Sequence, residues 1–306
     1  MNTTNSTKLF LRRQFLASLG MTLGWSVIST RTRALPQIPL DGNQRPTVQQ
    51  VIDLILAEIP GAPFKQTVDT IKIGSGQQPV TGIVTTMFAT VDVIRQTAAA
   101  GANFIIAHEP TFYNHLDETA WLESDAIYNA KKDLLNKHRI AVWRFHDYWH
   151  THRPDGVLMG VLTKLGWQKY YNADNPRIIK LPSAMTLNDI VDHSKKSMGI
   201  RQVRIVGNPD QRCLRIGLSP GAAGGRSQIQ LLQQEKPDLL IVGEVNEWET
   251  AEYVRDANAT GNNLSLIVLG HSESEEPGME WLAPWLQPKV SVSVTHIPSH
   301  NPFMEA

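Results

Sequence analysis

Short apolar runs alternating with segments of helical periodicity, in two successive sets, constrain this chain to an α/β fold. In the first set, residues 80–87 (VTGIVTTM) read as a strand. Residues 91–100 (VDVIRQTAAA) carry apolar side chains at helical spacing and stop at Gly101. Residues 104–107 (FIIA) are a short apolar strand. Residues 125–138 form a helix with Ile127, Ala130, Leu134 and Leu135 on one face, and residues 140–145 (IAVWRF) are the next strand. The second set repeats the plan. Strands are expected at 213–218 (CLRIGL), 239–242 (LLIV) and 264–269 (LSLIVL), with helices at 227–234 and 248–257. Runs of this length, apolar on both faces, fit strands buried in a largely parallel or mixed sheet. Matching strands also end alike. FIIA runs into His108-Glu109 and LLIV into Gly243-Glu244, while IAVWRF ends at His146 and LSLIVLG at His271. The pattern is that of a diverged duplication, two similar α/β lobes facing each other. Residues 182–207 add a strand-helix-strand segment between them.

Composition agrees with a folded body of this kind and excludes some partners. Apolar residues make up 42% of the 306, enough to bury a sizeable core. Basic and acidic residues balance at 29 each, and no run of Lys and Arg exceeds two. Nucleic acid and anionic membranes are therefore not expected partners. Cys213 is the single cysteine, so no internal disulfide can form and any metal site must draw on His, Asp and Glu.

The first 34 residues read differently from the rest. Arg12-Arg13-Gln14-Phe15-Leu16 leads into an apolar stretch ending near Ile28, followed by Arg31, Arg33 and Ala34. A charged start, a short apolar core and a small residue near the end describe a secretory signal, and the paired arginines resemble the twin-arginine export signal. The apolar core of 14 residues, 15–28, is shorter than the ~20 a spanning helix needs, so no stable membrane span is expected after signal removal. The expected organisation is a signal peptide over 1–34, a proline-containing linker over 35–46, a first lobe over 47–172 and a second over 173–306. The expected location is periplasmic or secreted.

Three polar clusters stand directly after buried strands, where ligands of α/β sheets gather. They are His108-Glu109-Pro110, then His146-Asp147-Tyr148-Trp149-His150-Thr151-His152, then His271-Ser272-Glu273-Ser274-Glu275-Glu276. His271 and Glu275 sit four apart, and on a helix beginning there they would share one face. Imidazole with carboxylate suits zinc, iron, manganese or nickel. Each cluster has a plainer reading: a satisfied core histidine at 108, an exposed loop residue at 152, acidic residues favoured by a helix N-terminus at 273–276. Together they point to a metal, because imidazoles and carboxylates at several strand ends are costly to bury unless paired or bound to a cation. His115, His138 and His193 lack a partner motif and read as surface residues.

These motifs, in this order from about Val51 to Phe303, resemble the dinuclear-metal-centre proteins known as GTP cyclohydrolase 1 type 2-like or NGG-interacting-factor-three-like. The resemblance is carried by GANFIIAHEPTFY, IAVWRFHDYWHTHRPDGV, DLLIVGEVNEWE and GHSESEEPGMEWLAPWL. That family shows His-His-Pro after the first strand, His-Thr-x-x-Asp after the next, and Gly-His-x-x-[ST]-Glu-x-x-Gly near the end. The last motif is kept in His271, Ser274, Glu275 and Gly278. In the first, Glu109 stands where the second His belongs, and in the middle one His150 stands where the family has Asp. The exchange looks reciprocal. The resemblance implies two divalent metal ions in a cleft between two α/β lobes, held by His108, Glu109, His150, His271 and Glu275. Glu244 and His146 are then candidates for support or catalysis. It also implies a homo-oligomer, a hexameric ring.

The function expected from these features is metal-dependent hydrolysis of a small molecule by a metal-activated water. The cyclohydrolase label implies a purine-like ring opening. The alternative is a non-catalytic metal-binding or ring-forming scaffold. Trp143, Trp149, Trp248, Trp281 and Trp285 lie near the motifs and read mostly as packing or interface residues, although Trp149 could wall a pocket. The glycine-rich turn at 219–225 reads as a tight turn or, less simply, as an anion cradle.

Overall fold

Helix α1 (Val48–Leu56) opens with a capping box, in which the Thr47 hydroxyl accepts from the Gln50 amide and the Gln50 side chain accepts from the Thr47 amide. The computed structural model describes residues 45–303, which belong to one compact unit. The expected signal (1–34) and all but the end of the expected linker (35–46) lie outside the described residues. After α1 come β1 (Ile71–Ile73), β2 (Ile83–Thr86), α2 (Val91–Ala99), β3 (Phe104–Ala107), α3 (Ala126–Lys137) and β4 (Ala141–Arg144). Two helices, α4 (Asp147–Thr151) and α5 (Gly156–Leu165), then lead into β5 (Ile178–Thr186), α6 (Leu187–Met198) and β6 (Arg204–Val206). The chain ends in β7 (Arg212–Ser219), α7 (Gly225–Glu235), β8 (Leu239–Val242), α8 (Glu252–Ala259), β9 (Ser265–Val268), α9 (His271–Leu286) and β10 (Val294–His296).

The strands form two mixed five-stranded sheets, ordered β1-β4-β3-β2-β10 and β5-β7-β8-β9-β6. Each has three parallel central strands and an antiparallel edge strand beside the last of them, β1 on β4 and β6 on β9. The sheets differ at their other edge, where β10 is parallel to β2 but β5 is antiparallel to β7. The 182–207 segment therefore does not stand between lobes; most of it supplies an edge strand, β6, and the helix α6 of the second sheet. The C-terminal strand, conversely, returns to the first sheet.

Alternate residues along each central strand feed opposite layers. Phe104 and Ile106 of β3 pack with α1 and the far half of α9, while Ile105 and Ala107 pack with α2 and α3. Leu239 and Ile241 of β8 pack with α5 and α6, while Leu240 and Val242 pack with α7 and α8. Helix α3 turns a different face inward from the expected one. Tyr128, Lys131 and Leu135 are buried, and Ile127 is 68% exposed. Lys131 fits because its ammonium donates to the Thr111 carbonyl at 2.6 Å, and that polar anchor outranks the apolar count. The expected helix at 248–257 begins as a π turn over Glu247–Ala251, which leaves Trp248 exposed rather than packed. Among the described residues no helix is long and apolar enough to cross a membrane.

Helix α9 joins the two halves. It starts at the end of β9, and Met279, Leu282 and Leu286 enter the core of the first sheet. It crosses α5 at two glycines. A Cβ on Gly160 would stand 2.2 Å from the Pro277 carbonyl oxygen, and one on Gly278 would stand 2.6 Å from the Val157 Cα. Gly160→Ala is expected to lower stability by about 1–3 kcal/mol through overpacking. The thermal unfolding midpoint reads this; an unchanged midpoint would show that the helices separate freely.

Candidate metal centre

The ends of β3, β4 and β9 carry the three polar clusters, and the structure brings them together. The ladder between β2 and β3 continues past the strands, with the His108 amide donating to Thr86 and the Glu109 amide to Met87. His108 and Glu109 are thereby fixed as rigidly as the strand itself. At the end of β4 the Phe145 amide donates to Ala107, and the chain turns at once into α4. Asp69 holds that turn, its two carboxylate oxygens accepting from the amides of His146 and Tyr148 at 2.8 Å each. The His150 amide bonds the His146 carbonyl, so the two rings share one face of α4. The opposite side of α4 is anchored by Trp149, fully buried against Phe145, Trp281 and Trp285. Trp149 is thus a core residue, not a pocket wall.

Four imidazoles converge on two carboxylates. His271 Nε2 lies 3.0 Å from Glu275 Oε2 and 3.5 Å from Glu109 Oε1. His108 Nε2 lies 3.4 Å from Glu275 Oε2, His150 Nε2 lies 3.8 Å from Glu275 Oε1, and His146 Nε2 lies 3.6 Å from Glu109 Oε1. The possible ligand atoms of His108, His146 and His150 fall within 4.8 Å of one another, as do those of His108, Glu109 and Glu275.

The other nitrogen of every ring is engaged on the outside. His108 Nδ1 meets the Phe145 carbonyl at 3.1 Å, His146 Nδ1 meets Asp147 at 3.0 Å, His150 Nδ1 meets Asp155 at 3.1 Å and His271 Nδ1 meets Glu244 at 2.9 Å. Each outer partner can accept a hydrogen bond from Nδ1–H, which directs Nε2 inward, the arrangement usual for metal-ligating histidines. Glu109 is steadied by the fully buried Arg144. Its Nη2 reaches Oε2 at 3.3 Å, its Nε donates to the His108 carbonyl and its Nη1 to the His115 carbonyl.

His108 tests whether these residues fit a cation. Its Nε2 is buried and makes no hydrogen bond. An orphaned buried nitrogen facing a carboxylate is a defect unless a cation stands between them. The donor set of imidazole and carboxylate suits divalent transition metals. These residues therefore could hold a metal ion.

The imidazoles and carboxylates also set one another's charge. Burial works against charge on His271, yet hydrogen bonds and attraction from Glu109 and Glu275 push it up to about 11. Burial likewise opposes charge on His108, and Glu275 outweighs it, so that ring too is raised. Burial raises the Glu275 carboxyl, but His108, His271 and His150 hold it well below the usual carboxylate range. His146 is the exception. Burial and its neighbours His108 and His150 bring it down to about 4. At pH 7 His271 thus carries a proton that a metal must displace, while His146 offers its lone pair at no such cost. Metal affinity is expected to rise with pH across the range below 11, by about tenfold per unit for each proton displaced. Titration calorimetry in buffers of different ionisation enthalpy should count at least one proton released per chain at pH 7. A count of zero would contradict the proton on His271.

Of the residues expected from the sequence, His108, Glu109, His150, His271 and Glu275 all point into this cluster. His146, expected to support or catalyse, stands among the inward-facing rings. Glu244 stands outside, on His271. His152 is buried against Trp149 and Trp285 with Nδ1 at 2.7 Å from the Pro154 carbonyl, not on an exposed loop. His115 and His138 are exposed, whereas His193 is half-buried, stacked on Trp167 and held by the Leu165 carbonyl. The amide of Gly225, after the glycine-rich turn, already donates to Glu249, so that helix start is not an open anion cradle.

Sequence reading missed Asp69, Arg144 and Asp155. Asp155 left a signal, an aspartate directly before an apolar run, as helix caps are. Its Oδ1 accepts from the Leu158 amide to cap α5, while Oδ2 holds His150. Asp155→Asn keeps a good cap but loses the carboxylate behind His150. It is expected to lower metal affinity about 10–100-fold with little change in melting, as competition against a chelator would show.

Comparison with known proteins places the fold. The chain is 24% identical over 235 residues to a Clostridium perfringens protein named GTP cyclohydrolase 1 type 2 homolog, covering 73% of this chain and 85% of the relative. Among solved structures, a hypothetical protein from Staphylococcus aureus superposes with a TM-score of 0.70 at 20% identity, over 86% of this chain and all (100%) of the other. A Bacillus cereus protein related to NIF3 superposes with a TM-score of 0.69 at 17% identity, over 86% and 100%. The model of the Duf34/NIF3 (NGG1p interacting factor 3) family matches residues 47–302, which span both sheets and every residue of the cluster, and the chain belongs to that family.

Proposed function

We propose that the chain binds two divalent metal ions at this centre and hydrolyses a small molecule there. One observation carries the reading: four imidazoles present inward nitrogens to two buried carboxylates while each outer nitrogen is held by a carbonyl or carboxylate. His108, Glu109, His146, His150, His271 and Glu275 would hold the ions. When bound, such a pair supplies Lewis acidity and lowers the pKa of a water. The chain's own residues do the rest. Arg144 fixes Glu109, and the outer carboxylates fix the ring orientations. Glu244, at the exposed rim, keeps Oε1 on His271 and leaves Oε2 to take up a proton from water or substrate.

The name of the clostridial relative makes opening of a ring C–N bond the reaction to test first. A screen of cyclic amidines, nitrophenyl phosphates and small amides with metal-loaded protein should find turnover that His271→Ala abolishes without unfolding the chain. Full activity in that variant would sink the hydrolase reading.

We also propose export and self-assembly. The arginine pair at 12–13 directs export, which fractionation of cells with and without Arg12→Lys/Arg13→Lys would test. The chain also assembles with itself into a hexamer, supported by exposed Tyr113, Leu116, Trp121 and Ile127 within residues 113–127. Light scattering on the purified protein tests this, and a monomer at micromolar concentration would contradict it.

A further inference from the structure

Beside His150 a cavity of about 400 Å³ opens. Its lining includes Arg153, Arg177, Tyr171, Ser219 and Leu158. Arg177 immediately precedes β5, and its carbonyl accepts from the Leu218 amide, which sets it beside the end of β7 where Ser219 lies. The Arg177 guanidinium makes no ion pair or side-chain hydrogen bond among the described residues and is exposed. Arg153 is tethered, its Nη1 donating to the carbonyls of His150, Thr151 and His152 at the end of α4. That bond set leaves Nε and Nη2 for another group. Ser219 is 2% exposed and its hydroxyl has no hydrogen-bond partner. A buried hydroxyl without a partner at a cavity wall marks a place where a ligand or water belongs.

The one carboxylate in the lining is turned away to other partners. Asp155 has one oxygen on the Leu158 amide and the other on His150. The cavity thus presents two guanidiniums and an unsatisfied hydroxyl, next to an imidazole of the centre, with apolar walls from Leu158, Leu218 and Pro220. Paired arginines with a hydroxyl are the donors that recognise phosphate and carboxylate oxygens.

We infer that this cavity is an oxyanion subsite, and that the substrate is a small molecule whose phosphate or carboxylate is held by Arg177, Arg153 and Ser219 while its labile bond lies at the histidine–glutamate centre. The part concerning the labile bond rests on the proposed hydrolysis; the anion subsite does not. The test is titration of the mature chain with inorganic phosphate, and separately with acetate, by calorimetry, in metal-loaded and chelator-treated protein. Bound metal is counted in each sample. Wild type should bind one of the two anions in both states; phosphate alone identifies a phosphate site and acetate alone a carboxylate site. Arg177→Gln should weaken binding at least tenfold with its metal content unchanged, and Ser219→Ala should weaken it less. His271→Ala should lose metal yet still bind the anion. Arg177→Gln binding like wild type, or anion binding that vanishes with the metal, would overturn the subsite. No heat with either anion at millimolar concentration would do the same. Absence of turnover with every substrate would defeat the hydrolase reading and leave the anion result standing.

Discussion

Glu275→Ala is expected to empty the metal centre and to destabilise the chain, the largest combined effect of any single change. Glu275 is 3% exposed, and its oxygens lie 3.0 Å from His271, 3.4 Å from His108 and 3.8 Å from His150. It is the common neighbour of three of the four rings. Metal-binding free energies of about 10–16 kcal/mol shared among four ligands imply about 2.5–4 kcal/mol per ligand. Loss of a shared ligand should therefore weaken binding on the order of a hundredfold or more. The alanine also removes the carboxylate paired with the fully buried His108, a loss of about 3–5 kcal/mol for a broken buried pair, while His271 keeps Glu109 and Glu244. It opens a gap as well, since Gly221 approaches so closely that a Cβ there would lie 2.0 Å from Glu275 Oε1. Glu275→Gln separates the effects. It keeps the volume, should melt nearer to wild type, and should still lose metal. Wild-type metal content in Glu275→Gln would show that the carboxylate charge is not needed.

Trp149→Ala is expected to cost about 3–5 kcal/mol in stability and to weaken metal binding from a distance. The indole is fully buried, with ring centroids 5.2 Å from Phe145, 5.4 Å from Trp281 and 5.6 Å from Trp285, and its Nε1 donates to the Gly278 carbonyl at 3.2 Å. It presses the five-residue α4 against the core so that His146 and His150 face inward. A helix of that length has no stability of its own. Without the tryptophan, both rings lose their fixed direction. Denaturant unfolding measures the first effect, and chelator competition on the still-folded variant measures the second. Full stability with altered substrate affinity alone would return Trp149 to the role of pocket wall.

The central strands were legible because polar or glycine residues bracket them closely: residues 104–107 and 239–242 match β3 and β8 at both ends. Helix α5 was not legible. Its buried residues run almost all round, from Gly156 to Leu165, which erases the amphipathic period. The three-residue strands β1 and β10 are too short to show alternation, and β10 pairs with a strand some 210 residues earlier, at β2. In the site, the spacing of His271 and Glu275 on one helix face was readable from local geometry. The engagement of His108 Nδ1 by the Phe145 carbonyl, and of the His146 amide by Asp69, joins residues 37 and 77 positions apart. No local pattern encodes such contacts. The carboxylate at position 109, where the family motif has a second His, depends on Arg144, which is distant in sequence. A fully buried guanidinium at 3.3 Å supplies the positive charge that a carboxylate at that place needs.

The central claim is that one shared centre draws its ligands from the ends of both sheets. Elemental analysis of the purified chain, beside His108→Ala from the first sheet and His271→Ala from the second, tests it most directly. About two metal ions per chain are expected in wild type, with loss in both variants, because both rings face Glu275. Metal retained in full by either variant, or no metal in wild type after reconstitution, would contradict it.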